Sequence, residues 1–131
     1  MDADRGAASG DGTLPEELEA ELRQLAEDQG RLAVLTGAGI SAESGIPTFR
    51  GEEGYWTIGA QEYHPQEMAT HGMFSRQPWD VWQWYLYRLG ICSAAGPNDA
   101  HRAVAAMEGL FGDRFTLLTQ NGDGLHLEAG D

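Results

Sequence analysis

The sequence predicts an α/β protein built around a parallel sheet, and two observations carry that expectation. Residues 32–36, Leu-Ala-Val-Leu-Thr, and residues 114–119, Arg-Phe-Thr-Leu-Leu-Thr, are short apolar runs of the length and branching of buried strands. Each breaks off in turn chemistry, Gly37-Ala38-Gly39 after the first and Gln120-Asn121-Gly122-Asp123 after the second. Segments of helical periodicity lie before and between them, which is the alternation that a parallel sheet with crossover helices requires.

Composition bounds the partners. The chain has 131 residues, enough for one modest domain, with 8 basic residues against 21 acids and a net charge of −13. Such a chain is repelled by nucleic acid phosphates and by anionic lipid. Cys92 is the only cysteine, so neither an internal disulfide nor a cysteine zinc site can be built from these residues. No apolar run reaches membrane-spanning length and the N-terminus lacks the pattern of a signal peptide, so the expectation is a soluble, cytoplasmic protein.

In chain order, residues 1–12 are small, polar and acidic and are expected to form a disordered tail. Thr13 reads as the cap of an amphipathic helix running to about Asp28, with Leu14, Leu18, Leu22 and Leu25 facing the sheet and Gly30 ending it. After the first strand, Gly37, Gly39 and Ala42 satisfy the spacing G-x-G-x-x-A in a strand-to-helix context, the Rossmann-like arrangement in which backbone N–H groups cradle phosphate. Ser41 reads as the cap of a short helical turn, Ala42-Glu43-Ser44. An ordinary dehydrogenase would carry a second strand ending in Asp or Glu about twenty residues on. Here residues 51–70 instead read as irregular, with His64 and His71 as surface or capping residues rather than metal ligands.

Residues 78–95 predict a helix holding three tryptophans and two tyrosines, with Val81, Tyr85, Leu89 and Cys92 on one face and Trp82 beside it. Tyr85 and Arg88 are three apart and project from the same side, where a guanidinium and a phenol can hold a carboxylate. Asn98 suits the cap of a helix over residues 100–110 with Ala103, Val104, Met107 and Leu110 inward, and His101 reads as a structural residue of its first turn. Beyond the second strand, Asn121 offers a donor and an acceptor and Asp123 acceptors alone, a set suited to a carboxamide. Two strand ends bearing such loops would face one crevice.

Two longer motifs carry a family resemblance. GAGISAESGIPTFRG followed by GYW, and TQNGDGLHLEAG at residues 119–130, resemble the signatures of the sirtuins, the NAD-dependent protein deacylases. The resemblance implies NAD as cofactor and an acyl-lysine protein as substrate. It implies a Rossmann-like parallel sheet with helices on both faces, and a helical insertion from a smaller domain; residues 13–131 would be the N-terminal half of that catalytic domain. It places Gly37, Ala38 and Gly39 at phosphate, Gln120 and Asn121 at the nicotinamide ribose and Asp123 at the carboxamide. It extends the cofactor contacts to Ser41, Ala42, Glu43, Pro47, Thr48, Phe49, Arg50, Tyr55, Trp56 and Gly122, the last standing where the family usually has Ile or Val. Tyr85 and Arg88 match the Tyr-x-x-Arg of the desuccinylase and demalonylase class. His126 belongs to the motif and is not the family's catalytic His. That His, in a His-Gly pair, and the zinc module of paired CxxC are expected beyond Asp131. The rival expectation is an inactive module that binds NAD or ADP-ribose.

Overall fold

The computed structural model describes residues 14–48, 56–58 and 61–130, with residues 56–58 and 61–63 as backbone. The expected tail at residues 1–12 and the cap at Thr13 lie outside the described residues, as do Phe49, Arg50 and Tyr55.

Helix α1 spans Glu16–Glu27, following Pro15, with Glu16, Glu17 and Glu19 in its first turn, where carboxylates oppose the positive helix end. Its termination differs from expectation. Gln29, not Gly30, takes the left-handed conformation (φ 56°), and the Gly30 N–H returns to the Leu25 carbonyl at 2.8 Å, closing a Schellman turn. Gly30 is crowded instead: a β-carbon there would stand 2.3 Å from Leu25 Cδ1, so the Leu25 side chain would have to shift. The apolar face is less covered than expected, for α1 buries no residue fully, and Leu14 and Leu18 are exposed.

Strand β1, Leu32–Thr36, carries the chain into a 3-10 helix, Ala38–Ser44, that starts four residues earlier than the expected turn. Gly37 is therefore the capping position and Ser41 lies inside the helix. Gly45 ends it at φ 81°, the left-handed region that favours glycine. Residues 51–70 are not wholly irregular: β2, Trp56–Ile58, pairs antiparallel with β3, Gln61–Tyr63, and α2, Pro65–Met68, begins on the proline that suits a first helical position. Helix α3, His71–Arg76, was not anticipated; the Thr70 hydroxyl caps it by accepting from the Met73 N–H at 3.2 Å.

Helix α4, Pro78–Ala94, is where the sequence expected it, but its buried face is rotated. Trp84 is fully buried with Val81, while Tyr85 and Leu89 stand at the surface (44% and 60% exposed). Trp84, Val81, Ile46, Met68 and Leu125 form the core, with Met73, Ile91, Cys92 and Ala95 packed against it. Helix α5, Asp99–Phe111, corrects expectation in the same way: Val104 is buried, yet Leu110 is 78% exposed and the inward positions are His101, Val104 and Phe111. A second 3-10 turn, Gly112–Arg114, takes Arg114 out of the strand; its guanidinium donates to the Gly30 carbonyl at 3.0 Å and lies over Phe111.

Strand β4, Phe115–Thr119, pairs parallel with β1 in the register Leu32 to Phe115 through Thr36 to Thr119. Together they make a partial Rossmann-like α/β unit. Thr36 is buried and Leu32, Val34, Phe115 and Leu117 are partly covered on one face; Leu35 and Leu118 are exposed on the other. Helix α6, Leu125–Ala129, closes the described chain and packs on α5. The parallel pairing brings both strands to their carboxyl ends at one level, which sets the loops after Thr36 and Thr119 side by side.

Candidate functional site

At those carboxyl ends lies a cavity of about 320 Å³. The loop after β1 supplies Ala38, Ser41, Ile46 and Pro47; the loop after β4 supplies Gln120, Asn121, Gly122 and Asp123; helix α4 supplies Tyr85, Arg88, Leu89 and Cys92. The two loops are tied to each other. The Gln120 N–H donates to the Thr36 carbonyl at 3.1 Å, and Asn121 Nδ2 donates to the Gly37 carbonyl at 2.9 Å. The Asn121 N–H turns back to Thr119 Oγ1 at 3.1 Å.

Asp123 is the most closely held of these groups. Its Oδ2 accepts from the Ser41 hydroxyl at 2.6 Å and its Oδ1 from the Leu125 N–H at 3.0 Å, so it also opens helix α6. Ser41 is 1% exposed, and its Oγ also lies 3.4 Å from His101 Nε2. His101 is fully buried and His126 nearly so; their rings meet edge to face at 4.9 Å, and His126 Nε2 bonds the Thr36 hydroxyl at 2.9 Å. Both histidines are thus interior residues, as the sequence indicated for His101. The 3-10 helix is anchored from the other side by Asn98, whose Nδ2 donates to the Ile40 carbonyl at 2.7 Å and to Ser44 Oγ at 3.0 Å.

On the α4 wall, the Arg88 guanidinium lies 4.9 Å above the Trp84 ring, and Tyr85 meets that ring edge-on. Partial burial lowers the Arg88 pKa from the ordinary guanidinium value, an effect opposed by Cys92 and Tyr85. Burial raises the Cys92 thiol, against the pull of Arg88. Among the described residues, no cluster of three or more His, Cys, Asp or Glu side chains is placed to hold a metal ion.

The structure therefore gathers Ala38, Ser41, Pro47, Tyr85, Arg88, Gln120, Asn121, Gly122 and Asp123 around one space. Gly37 adjoins it through Asn121. Gly39, Ala42 and Glu43 lie on the exposed side of the 3-10 helix; Thr48 is half-buried but not on the cavity wall. Trp56 sits in β2. The sequence reading missed Ile46, Leu89 and Cys92 as wall residues and His101 as a neighbour of Ser41. Asn98-x-x-His101 spacing signals only the capping box between those two residues; the contact of His101 with Ser41, 60 residues away, has no local signal.

Residues 37–131 match the Sir2 family. The chain belongs to that family. It is 49% identical over 109 residues to NAD-dependent protein deacylase 1 of Caldanaerobacter subterraneus subsp. tengcongensis, covering 83% of this chain and 43% of that protein. It is 50% identical over 101 residues to the NAD-dependent protein deacylase of Aeropyrum pernix, covering 76% of this chain and 39% of the relative. The chain thus spans about two fifths of the length of the curated relatives it matches. Among solved structures, a mutant Sir2 homologue in complex with ADP-ribose superposes with a TM-score of 0.71 at 44% identity, covering 90% of this chain and 44% of that one. A Sir2 protein bound to acetylated peptide superposes with a TM-score of 0.60 at 31% identity, covering 86% and 41%. No described helix of this Sir2 chain is long and apolar enough to cross a membrane.

Proposed function

We propose that this chain forms one side of the cofactor and acyl-lysine crevice of an NAD-dependent protein-lysine deacylase with a preference for acidic acyl groups. The observation that carries the reading is the single cavity on which the β1 loop, the β4 loop and the Tyr85–Arg88 pair converge. Its volume lies at the lower end of the range for small-molecule sites, about 300 to 1,000 Å³, and suits one end of a dinucleotide together with an acyl group.

The residues fit such a ligand. A β-carbon built on Gly39 or Gly122 meets no protein atom within 4 Å, and one on Gly37 meets only Gln120 Oε1 at 4.0 Å. A ligand's backbone-hugging phosphate or ribose therefore has room at Gly37, Ala38 and Gly39. Asp123 accepts two hydrogen bonds within the protein, and a carboxylate has about four acceptor sites, leaving capacity for the N–H groups of a carboxamide. Bound NAD supplies an electrophilic ribose carbon with nicotinamide as its leaving group. Asp123 orients the carboxamide, Gln120 and Asn121 hold the ribose edge, and Ser41 fixes the carboxylate. Pro47 and Ile46 exclude water from one side. Ala42, Glu43 and Thr48 support the loop, and Phe49, Arg50, Tyr55, Trp56 and Gly122 complete the cofactor contacts of this reading. On α4, Arg88 pairs with an acyl carboxylate and Tyr85 adds a phenol donor.

The test uses the protein that carries this chain, incubated with NAD and either succinyl-lysine or acetyl-lysine peptide, with nicotinamide measured by chromatography. Release with acyl peptide, faster with succinyl, is expected. Absence of release with any acyl peptide, together with no calorimetric heat for NAD or ADP-ribose, overturns the reading.

A further inference from the structure

Gly122 is the one glycine among the described residues that line the cavity, and the fold does not require a glycine there. Gly45, Gly112, Gly124 and Gly130 hold positive φ values, a conformation that side chains resist, and Gly122 is not among them. A β-carbon on Gly122 meets no protein atom within 4 Å. Its neighbours are pinned without it. Asn121 Nδ2 donates to the Gly37 carbonyl at 2.9 Å, and Asp123 Oδ1 accepts from the Leu125 N–H at 3.0 Å. A side chain at position 122 therefore displaces neither flanking group. Its absence serves the cavity, not the backbone.

The consequence falls on the end of the cavity beside Asp123. The loop after β1 brings Ile46 and Pro47 to the wall as apolar cover. The loop after β4 brings Gln120, Asn121 and Asp123, all polar, with Gly122 between them. A pyridine ring held at its carboxamide by Asp123 thus finds hydrogen-bond partners on this loop but no apolar side chain from it against its face. Within NAD the ring is tethered to a ribose and a diphosphate that are held elsewhere, so its local concentration is high whatever covers it. Free nicotinamide has no tether, and its retention depends on local contacts alone.

We propose that Gly122 sets a weak hold on free nicotinamide, so that the reaction is poorly inhibited by its own leaving group. A product that departs from this end of the cavity slows turnover by returning to it, and an open wall lowers its occupancy at a given concentration. The inference rests on the proposed function, and within it on Asp123 as the carboxamide acceptor.

Gly122→Val adds the absent wall. Covering about 50 Å² of the ring with apolar surface is worth about eightfold in affinity. In the whole protein that carries this chain, the inhibition constant of nicotinamide, read from deacylated peptide by chromatography, should fall by about that factor in G122V. ADP-ribose lacks the base, so its affinity by calorimetry should stay within about twofold, and the melting temperature should hold because the position is open. A nicotinamide constant within about twofold of wild type, a higher one, or a matching change in ADP-ribose affinity overturns the inference. Should G122V not fold, G122A decides: one methyl group should tighten nicotinamide by about two- to fourfold, and a smaller change overturns the role of Gly122. A wild-type protein that neither deacylates peptide nor binds ADP-ribose refutes the proposed function itself. Bound ADP-ribose with an unmoved nicotinamide constant refutes the Gly122 role alone.

Discussion

Replacing Arg88 by Met keeps the aliphatic stem and removes the charge, which makes it the sharpest test of acyl preference. Two opposing effects follow from the position of the guanidinium. It is half-buried on the cavity wall and its pKa is lowered by lost hydration, so removing the charge relieves a desolvation cost. Its contact with Trp84 at 4.9 Å offsets this by about 0.5 to 2 kcal/mol. Arg88→Met should therefore leave stability within about 2 kcal/mol of wild type, since relieved desolvation opposes the lost contact with Trp84. Substrate discrimination is different. A succinyl carboxylate would make one or two charge-assisted bonds to Arg88, each worth about 1.5 to 3 kcal/mol. The cavity is open enough for water to reach these groups, so one such bond is worth about 2 kcal/mol and two at the bottom of that range about 3 kcal/mol. The expected loss of kcat/KM on succinyl-lysine peptide is then about 30- to 150-fold. Acetyl-lysine has no carboxylate to lose and should change less than about threefold. Initial rates of nicotinamide release on the two peptides measure the ratio directly. Equal losses on both substrates would refute the assignment of Arg88 to the acyl group, and so would an unchanged succinyl rate.

Other outcomes follow from single positions. Leu125→Ala empties a side chain that is 1% exposed at the centre of the core, and should lower unfolding free energy by about 2 to 5 kcal/mol in urea titration. A loss below 1 kcal/mol would mean that α6 is not fixed where it is described. Gly45→Ala forces a β-carbon into φ 81° and should cost about 1 to 2 kcal/mol. Gly39→Ala meets no protein atom, so its melting temperature should hold while NAD affinity falls; loss of stability with intact affinity would contradict the open cradle. Burial raises the Cys92 pKa, so the folded state keeps this proton more tightly than the unfolded chain. Stability is then complete at neutral pH and declines as pH rises through and above the ordinary thiol range, and iodoacetamide should label native Cys92 more slowly than unfolded Cys92 at pH 8.5. A native rate equal to the unfolded one would remove the burial argument.

The sequence by itself determined the two parallel strands, their glycine and asparagine loops, the long helices at α1, α4 and α5, and the Sir2 motifs. These are local signals: apolar runs bounded by turn residues, helical periodicity, and fixed spacings such as Gly37-x-Gly39. Tertiary structure alone decided which helix face turns inward. Helix α4 carries aromatic residues on every side, so periodicity could not choose Trp84 over Tyr85; packing against Ile46, Met68 and Leu125 did. The same holds for Phe111 over Leu110 on α5. Ser41 read locally as a helix cap, yet the fold places it inside the 3-10 helix, against Asp123 and His101. Such links join positions 60 to 82 residues apart, and only the parallel pairing of β1 with β4 brings them within hydrogen-bond reach. Chemistry carried within one loop is legible in a chain, whereas the orientation of that chemistry is a property of distant segments packed together.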